Sequence, residues 1–489
     1  MKTNVRILII HDEESENELY TKIFKKNGGT KIDFLRNGKE SLKMIKRSMP
    51  DILICEISAP ETGVFDLCRA LKNSQDTKLI GIYLILIGPD NSEEYRVRCM
   101  DEGVDDYLVK PVNPNELLAR VRVGQRLALL LKRAKLEKKR IFKEIDVLLI
   151  QDGGCAPGYN PVTAFITYHL ESMGRQVYAT REGFKSLVEK GDNFVRLVYN
   201  PDLFQDLDHI PGVFHAAPLS EWRGAQLRSE RYGDFVRREI QKKAAATIKR
   251  KKIRAIIAIG GNGTFMGINE LCDFLPTSIQ VFFIPVTIDS DVAGTDCVGQ
   301  HTGVEVGAEK IRRYMADART HKRVYIVEMM GANSGFHALH SCLGSRAHLA
   351  VLPNSNIDHK RVVKAINKRE ECVIVVAEGY KKRERKEKGL TDNAAEYFYK
   401  ELLATKIEIK RKVVCEPFSR EIRGAAPNNL DISLAQRMAY NVASYLKAGT
   451  SRLMPAVQSG REYAIPFNEI TTDNMKEEED IMVLANRLI

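Results

Sequence analysis

Two aspartates stand two residues apart directly behind an apolar run of the sequence. The run VFFIPV ends at residue 286, and the segment TIDSD then brings Asp289 and Asp291 past the predicted end of a buried strand. On an extended segment, carboxylates at this spacing point the same way. One of them can accept a hydroxyl proton as a general base while the other lies near a metal ion. The apolar strand in front and the Gly-Thr-Asp behind argue against a solvent-facing acidic turn.

Two glycine-rich turns precede this pair, each behind a predicted strand. IDVLLI leads into DGGCAPGYN, and RAIIAI leads into GGNGT. Glycine lets the backbone approach a ligand closely, and the amide groups at the start of a following helix can face phosphate oxygens. Either turn alone is a weak signal, because tight turns of this composition are common. Two later strands, in RVYIVEMMG and CVIVVAEGY, end in glycine or acidic residues, and Glu378 there can accept hydrogen bonds from substrate hydroxyls.

The elements that must hold these residues fall into two α/β regions. A chain of 489 residues is long enough for two or three domains. Between Val5 and about Val123, five β-rich runs alternate with five helical periods, which is typical of a doubly wound parallel sheet. We therefore expect an N-terminal domain over residues 1–124, a basic helical linker over residues 125–144, and a second α/β domain over residues 145–489.

Composition narrows the possible partners. Apolar residues make up 44% of the chain and charged residues 28%, as in globular proteins. The nine cysteines form no CxxC pair, which argues against a zinc site or a disulfide framework and favours a reducing cytoplasm. No apolar run reaches membrane-spanning length. The apolar run near the N-terminus is typical of a strand and not of a signal peptide. The net charge of +11 favours anionic partners, but with one tryptophan and no nucleic-acid-binding motif we expect phosphorylated metabolites and no nucleic acid.

Three strand ends of the first region carry acids and a lysine. His11, Asp12 and Glu13 follow the first strand, Glu56 follows the third, and Lys110 follows the fifth. Such a pocket can hold Mg²⁺ beside a carboxylate that accepts phosphate. With DILICEISAPETGVFDLC and DEGVDDYLVKPVNPNELLARV in register, the first quarter of the chain resembles the response-regulator receiver family. The resemblance implies a flavodoxin-like fold whose pocket contains Asp12, Glu56 and Lys110.

The departures from that family decide what the first domain can do. Glu56 stands where the family has its phosphoacceptor aspartate, and Gly88 stands where it has a switching Ser or Thr. Glutamate is one methylene longer, so its carboxylate reaches toward the place of a phosphoryl group and can mimic its charge. Without a hydroxyl at Gly88, no group follows a phosphoryl group outward. We therefore expect a structural or dimerising domain that is not phosphorylated.

Taken in order, six segments of the second region resemble the phosphofructokinase family: GGCAPGYN, GGNGT, TIDSD, VEMMG, AEG and REIRGAAP. The resemblance extends from about Ile145 to the end of the sequence. It implies a two-lobed α/β fold that moves a phosphoryl group to the 1-hydroxyl of fructose 6-phosphate. The implied donor is ATP, with pyrophosphate as the alternative, and Mg²⁺ is the implied metal. A homo-oligomer, dimeric or tetrameric, is also expected.

The same resemblance assigns roles to individual residues. Asp289 would be the general base, with Thr287 and Asp291 supporting the transferred phosphoryl group and the metal. The phosphoryl-donor side would be lined by Gly153, Arg231, Gly263, Thr264 and Gly267. The sugar phosphate would be held by Arg323, Met330, Gly331, Glu378 and Arg423, with Arg323 contributed by a neighbouring subunit. Arginine suits this task because its planar guanidinium group can donate two hydrogen bonds to phosphate oxygens at once.

Several positions depart from the family pattern and leave two functions open. Asn262 replaces a metal-associated aspartate, and Ala332 replaces an arginine expected to stabilise the transferred charge. Gly263 is the small residue associated with ATP, whereas Val286 matches neither kind of donor site. The first hypothesis is an ATP-preferring sugar-phosphate kinase. The second is a pseudoenzyme that binds sugar phosphate or nucleotide and signals through the receiver-like domain.

Overall fold

The computed structural model describes residues 5–11, 16–25, 31–36, 41–57, 64–72, 79, 81–141, 144–189, 193–200, 212–331, 334–417, 420–471 and 479–488. The chain divides into two compact units, Met1–Lys139 and Arg140–Ile489. None of the helices in these ranges is both long and apolar enough to cross a membrane.

The first unit is a five-stranded parallel sheet with helices between its strands. Its strands are β1 (Arg6–His11), β2 (Lys31–Arg36), β3 (Ile52–Glu56), β4 (Tyr83–Gly88) and β5 (Asp106–Val109), and its helices are α1 (Asn17–Lys25), α2 (Ser41–Ser48), α3 (Val64–Lys72), α4 (Glu93–Asp101) and α5 (Pro114–Ile141). The strand order is β2-β1-β3-β4-β5, which confirms the predicted flavodoxin-like fold. Successive residues of β1 enter two different hydrophobic clusters, one on each face of the sheet.

Helix α5 does not stop where the sequence predicts a linker to begin. The expected linker over residues 125–144 starts inside α5, which continues without a break to Ile141. Gly124 lies at the predicted boundary and is buried in this helix. A Cβ atom there would stand 2.6 Å from the ring of Tyr83, so glycine lets the helix lie close against the sheet. Glycine here serves packing and does not end the helix.

Among the residues that the structure describes, the second unit contains two sheets. Its strands are β6 (Val147–Gln151), β7 (Val177–Thr180), β8 (Phe194–Val198), β9 (Val213–His215), β10 (Ala255–Gly260), β11 (Gln280–Pro285), β12 (Val324–Met329), β13 (Leu349–Val351), β14 (Cys372–Ala377), β15 (Val413–Glu416), β16 (Leu453–Gln458) and β17 (Arg461–Pro466). Its α-helices are α6 (Tyr159–Ser172), α7 (Arg238–Arg250), α8 (Asn262–Leu271), α9 (Gln300–His321), α10 (Phe336–Ser345), α11 (His359–Asn367), α12 (Lys382–Glu387), α13 (Ala394–Ala404), α14 (Asn429–Lys447) and α15 (Glu479–Ala485).

The strand order brings the predicted site segments to shared edges. In the described residues the large sheet runs β17-β16-β11-β10-β6-β7-β8-β9, and the small sheet runs β13-β14-β12-β15. Strands β11, β10 and β6 are adjacent and parallel, so the turns that follow them meet at one edge. Strands β12 and β14 are likewise adjacent and parallel. This is the expected two-lobed α/β fold, with a core in which β10 is fully buried along its length.

Candidate active site

A cleft of about 490 Å³ opens where β6, β10 and β11 end. Its lining comes from the turns after these strands and from residues that approach from other segments of the second unit. From the predicted site it contains Gly153, Arg231, Asn262, Gly263, Thr264, Thr287, Asp289, Asp291 and Arg423. It also contains Gly154 of the first glycine turn, together with Asp152 and Lys382, which the sequence analysis did not single out. The three strand ends therefore do converge on one site.

The two aspartates reach this cleft by a different route from the predicted one. The segment after β11 is not extended, because Ser290, between the two aspartates, adopts a left-handed backbone with φ of 48°. Thr287 ties the resulting turn together. Its hydroxyl oxygen accepts a hydrogen bond from the Asp289 amide at 3.1 Å and donates one to Asp291 Oδ1 at 3.4 Å. Both carboxylates line the cleft through this turn and not through strand alternation.

The carboxylate of Asp289 has an oxygen without a hydrogen-bond partner among the described residues. This oxygen, Oδ1, is buried. Burial and then the nearby charge of Asp291 raise the pKa of Asp289 to about 6, and the positive charge of Arg423 opposes them. The Ser334 hydroxyl donates to the backbone oxygen of Asp289 at 2.5 Å and fixes that peptide. Burial also raises the pKa of Asp291.

The first glycine turn holds two arginines beside the cleft. Gly153 has φ of 101°, a conformation that side chains disfavour. At Gly154 an added Cβ would stand 2.9 Å from Arg423 Nη1 and 3.2 Å from Arg231 Nη2. Arg423 Nη1 also donates to the Cys155 carbonyl at 3.0 Å. The absence of a side chain at Gly154 thus lets both guanidinium groups approach the backbone where an anion would bind.

The second glycine turn begins helix α8 at Asn262. No side chain caps this helix, and Gly263 in its first turn has open space where a Cβ would stand. The uncapped N-terminal end, with its positive dipole, therefore faces the cleft and suits an anionic ligand. Thr264 has a structural task as well, since its hydroxyl donates to the Asp152 carbonyl at 2.9 Å.

Asp152 is a buried carboxylate of the cleft that the sequence analysis missed. It directly precedes Gly153, and burial raises its pKa to about 6. The Phe184 amide approaches its Oδ1 atom at 3.4 Å, and the charge of Arg231 favours its ionised form. The sequence signal that could have identified Asp152 is its position between a predicted strand and two consecutive glycines.

Gly267 does not line the cleft. An added Cβ there would stand 3.1 Å from Phe184 and 3.3 Å from Phe235, whose rings stack with centroids 4.1 Å apart. Gly267 therefore supports the wall behind α8, and its assignment to the phosphoryl-donor side stays a prediction.

Three of the predicted sugar-binding residues lie together at the ends of β12 and β14. The Gly331 amide donates to Glu378 Oε2 at 3.3 Å, next to Met330. These residues are not part of the cleft lining, although the charge of Glu378 acts on Asp289 and raises its pKa. Ala332 lies outside the described residues.

Arg323 lies at the opposite end of β12 from Met330. The intervening strand has six residues, which span roughly 20 Å. Arg323 forms an ion pair with Asp317 at 3.8 Å and does not reach the cleft of its own chain.

In the first unit, the acid that ends β3 is engaged by neighbouring side chains. Glu56 is 4% exposed, forms an ion pair with Lys110 and accepts a hydrogen bond from the Tyr20 hydroxyl at 2.6 Å. Burial opposes ionisation of Glu56, but hydrogen bonds with Glu16, Lys110 and Tyr20 outweigh it and hold its pKa below the ordinary value. Asp12 lies outside the described residues.

Gly88, at the end of β4, has no room for a side chain. An added Cβ at this position would stand 2.7 Å from the Tyr107 hydroxyl, which donates to the Asp90 carbonyl at 2.8 Å. Tyr107 therefore occupies the space that a side chain at position 88 would need.

Within the described ranges, no three His, Cys, Asp or Glu side chains stand together as a ready metal site. Mg²⁺ in phosphoryl-transfer sites is bound by one or two carboxylates together with substrate phosphates. Asp291, as one buried carboxylate among those that line the cleft, fits that kind of site, and Asn262 offers an amide in place of a charge.

Comparisons with known proteins match the two parts of the chain to different families. A family model described as response regulator receiver domain matches residues 7–122. An ATP-dependent 6-phosphofructokinase of Thermotoga neapolitana is 28% identical over 354 residues, which cover 71% of this chain and 100% of the relative. Another, of Aquifex aeolicus, is 28% identical over 327 residues, covering 66% of this chain and 92% of the relative.

Solved structures show the same fold for the second unit. A pyrophosphate-dependent phosphofructokinase from Nitrosospira multiformis superposes with a TM-score of 0.56 at 17% identity, covering 69% of this chain and 86% of that one. The T-state phosphofructokinase of Pichia pastoris gives a TM-score of 0.56 at 22% identity over 67% of this chain, which spans only 35% of the Pichia chain. A family model described as phosphofructokinase matches residues 146–446, more than half of the sequence. The chain therefore belongs to the phosphofructokinase family and carries a response regulator receiver domain.

Proposed function

We propose that this protein moves the terminal phosphoryl group of ATP to the 1-hydroxyl of fructose 6-phosphate. The observation that carries the proposal is the buried Oδ1 atom of Asp289, which has no hydrogen-bond partner among the described residues and faces a cleft edged by two arginines and a helix N-terminus. An unsatisfied carboxylate oxygen is costly in a merely structural site, whereas a general base requires one.

The proposed reaction forms one P–O bond and breaks another. The 1-hydroxyl oxygen of the sugar attacks the terminal phosphorus, and the bond from that phosphorus to the bridging oxygen breaks. The electron pair of the broken bond stays on ADP, and the hydroxyl proton passes to Asp289. Arg231 and Arg423 balance the charge of the phosphates beside Gly154. Mg²⁺ held by Asp291 and the phosphates would neutralise further negative charge.

ATP is the proposed donor, and pyrophosphate is the alternative. The relatives with 28% identity are named as ATP-dependent enzymes, whereas a structural neighbour with 17% identity is titled pyrophosphate-dependent. The open space at Gly263 is compatible with a bulky donor.

A homo-oligomer is part of the proposal. Arg323 lies roughly 20 Å of strand away from Met330, so it can hold a sugar phosphate only in the site of a second copy. The alternative of a non-catalytic sensor has no support in the comparisons. The buried Oδ1 atom of Asp289, which has no hydrogen-bond partner among the described residues, argues against it.

A coupled assay tests the proposal. Purified protein with fructose 6-phosphate and Mg²⁺ is supplied with ATP or with pyrophosphate, and formation of fructose 1,6-bisphosphate is followed. We expect turnover that is faster with ATP and that requires Mg²⁺. Turnover with pyrophosphate and not with ATP would show that pyrophosphate is the donor. Absence of turnover with both donors would overturn the proposed function.

A further inference from the structure

A lysine of the charged run at residues 381–388 enters the active-site cleft. Charged runs of this kind are most often solvated helix faces or loops, and most of α12, Lys382 included, is exposed. Lys382, the first residue of α12, nevertheless lines the cleft together with Asp289, Asp291 and Arg423. It follows β14, so it belongs to the small-sheet side of the second unit.

The backbone that carries Lys382 is firmly held. Arg385 donates to the Glu378 carbonyl at 2.5 Å and to the Tyr380 carbonyl at 3.0 Å. The neighbouring Lys381 forms an ion pair with Glu401 at 2.5 Å, and the Tyr380 hydroxyl bonds to the same carboxylate at 2.8 Å. The start of α12 is therefore fixed relative to Glu378, and the exposed side chain of Lys382 extends from a backbone that is held in place.

Two other cations of the run have partners within it. Arg383 pairs with Glu387 at 2.8 Å, and Lys388 pairs with Glu384 at 2.6 Å. Lys382 and Lys386 form no ion pair with any described residue, and of the two only Lys382 lines the cleft. A charge left without a counterion at a cleft lined by phosphate-binding elements is available to an anionic ligand.

The cleft needs such a charge for transfer. Of its other two cations, Arg423 is fastened to the Cys155 carbonyl, and Arg231 lies beside the same glycine turn. A phosphoryl group in transit spreads negative charge over three equatorial oxygens. A flexible ammonium with three donors can follow these oxygens as the group moves, which the fastened guanidinium of Arg423 cannot do.

We propose that Lys382 contacts the phosphoryl group during transfer and stabilises its charge. This rests on the proposed function and adds one catalytic cation from the small-sheet side. The lysine stays protonated throughout, and the bonds formed and broken are those of the transfer to the sugar hydroxyl.

Kinetics of three variants test the role. Lys382→Ala is expected to lower kcat by roughly 10²-fold, with KM values for both substrates changed much less, because the contact forms fully only in the transition state. Lys382→Arg should recover part of the loss. Lys386→Ala, which removes an exposed lysine one turn further along the same helix and outside the cleft lining, should match the parent. Equal kcat values for Lys382→Ala and Lys386→Ala would overturn the proposal.

A chemical footprint separates this inference from the proposed function. The parent protein is modified with an amine-selective reagent with and without ATP and Mg²⁺, or pyrophosphate and Mg²⁺, and the extents at Lys382 and Lys386 are compared by mass spectrometry. Protection of Lys382 alone supports the contact even if the assay finds no turnover, in which case only the proposed function fails. Equal modification of Lys382 with and without both donors would overturn the contact itself.

Discussion

The two units each bury a carboxylate at the end of a parallel strand, and the two carboxylates differ in what surrounds them. Glu56 ends β3 of the first unit and is held by Lys110 and by the Tyr20 hydroxyl. Asp289 follows β11 of the second unit, and its Oδ1 atom has no partner among the described residues. The pKa of Glu56 lies below its ordinary value, whereas the pKa of Asp289 is raised to about 6.

The comparison shows that burial alone does not make a carboxylate reactive. Both groups are removed from water, which by itself raises a carboxyl pKa. At Glu56 the hydrogen bonds outweigh the effect of burial on the pKa, so the carboxylate stays charged. Its oxygens are engaged by Lys110 and Tyr20. At Asp289 the charge of Asp291 adds to the effect of burial, so the group is ready to accept a proton near neutral pH. The same fold feature therefore holds a carboxylate engaged by its neighbours in one unit and, in the proposed function, supplies the base in the other.

The largest effect is expected from removing the base. Asp289→Asn should lower kcat by about 10² to 10⁴ while leaving the affinity for fructose 6-phosphate nearly unchanged, because a base acts on the barrier more than on ground-state binding. Steady-state kinetics and calorimetric titration of the sugar phosphate measure the two effects. The matched change Glu56→Gln, in the other pocket, should leave kcat within a few-fold of the parent. An active Asp289→Asn variant would remove the contrast between the two carboxylates.

A pH profile is expected to show the second effect. Asp289 can accept a proton only when ionised, so kcat/KM should rise with pH through about 6 and fall about tenfold per pH unit below it. Asp152 has a raised pKa in the same range. Asp152→Asn separates the two groups, since the acidic limb should persist in this variant. Loss of the limb in Asp152→Asn would assign it to Asp152 instead.

The anchor role of Glu56 predicts a smaller, structural effect. Glu56→Gln should destabilise the first unit by about 1 to 3 kcal/mol at pH 7, because charged hydrogen bonds to Lys110 and Tyr20 are lost. Since the folded pKa is depressed, this stabilisation is present above the unfolded pKa near 4.5 and disappears as pH falls through the lower folded value. Hydrogen exchange of peptides covering β3 and β5, at pH 7 and near pH 3, measures it. A difference of equal size at both pH values would contradict the ionised pair.

The sequence predicted the elements better than the local geometry. Buried strands such as β10 are continuous apolar runs, and the glycine turns after them mark the shared edge, so most of the cleft was predictable. The left-handed Ser290 was not, because its φ is imposed by the hydrogen bonds of a turn that has no strong sequence signal. Lys382 was missed because it lies in a run of mostly exposed charges, and only the tertiary fold brings the start of α12 to the cleft.

For treatment with a phosphodonor, we expect no effect at all. Acetyl phosphate with Mg²⁺ should not label the first unit, because the carboxylate of Glu56 is occupied by Lys110 and Tyr20 and the space beside Gly88 is filled by Tyr107. Mass spectrometry of the intact protein measures labelling, and the kinetic constants should be the same before and after treatment. A mass increase of one phosphoryl group that disappears in Glu56→Gln would show that this carboxylate leaves its partners and reacts. The two carboxylates would then differ only in their resting contacts and not in their capacity for chemistry.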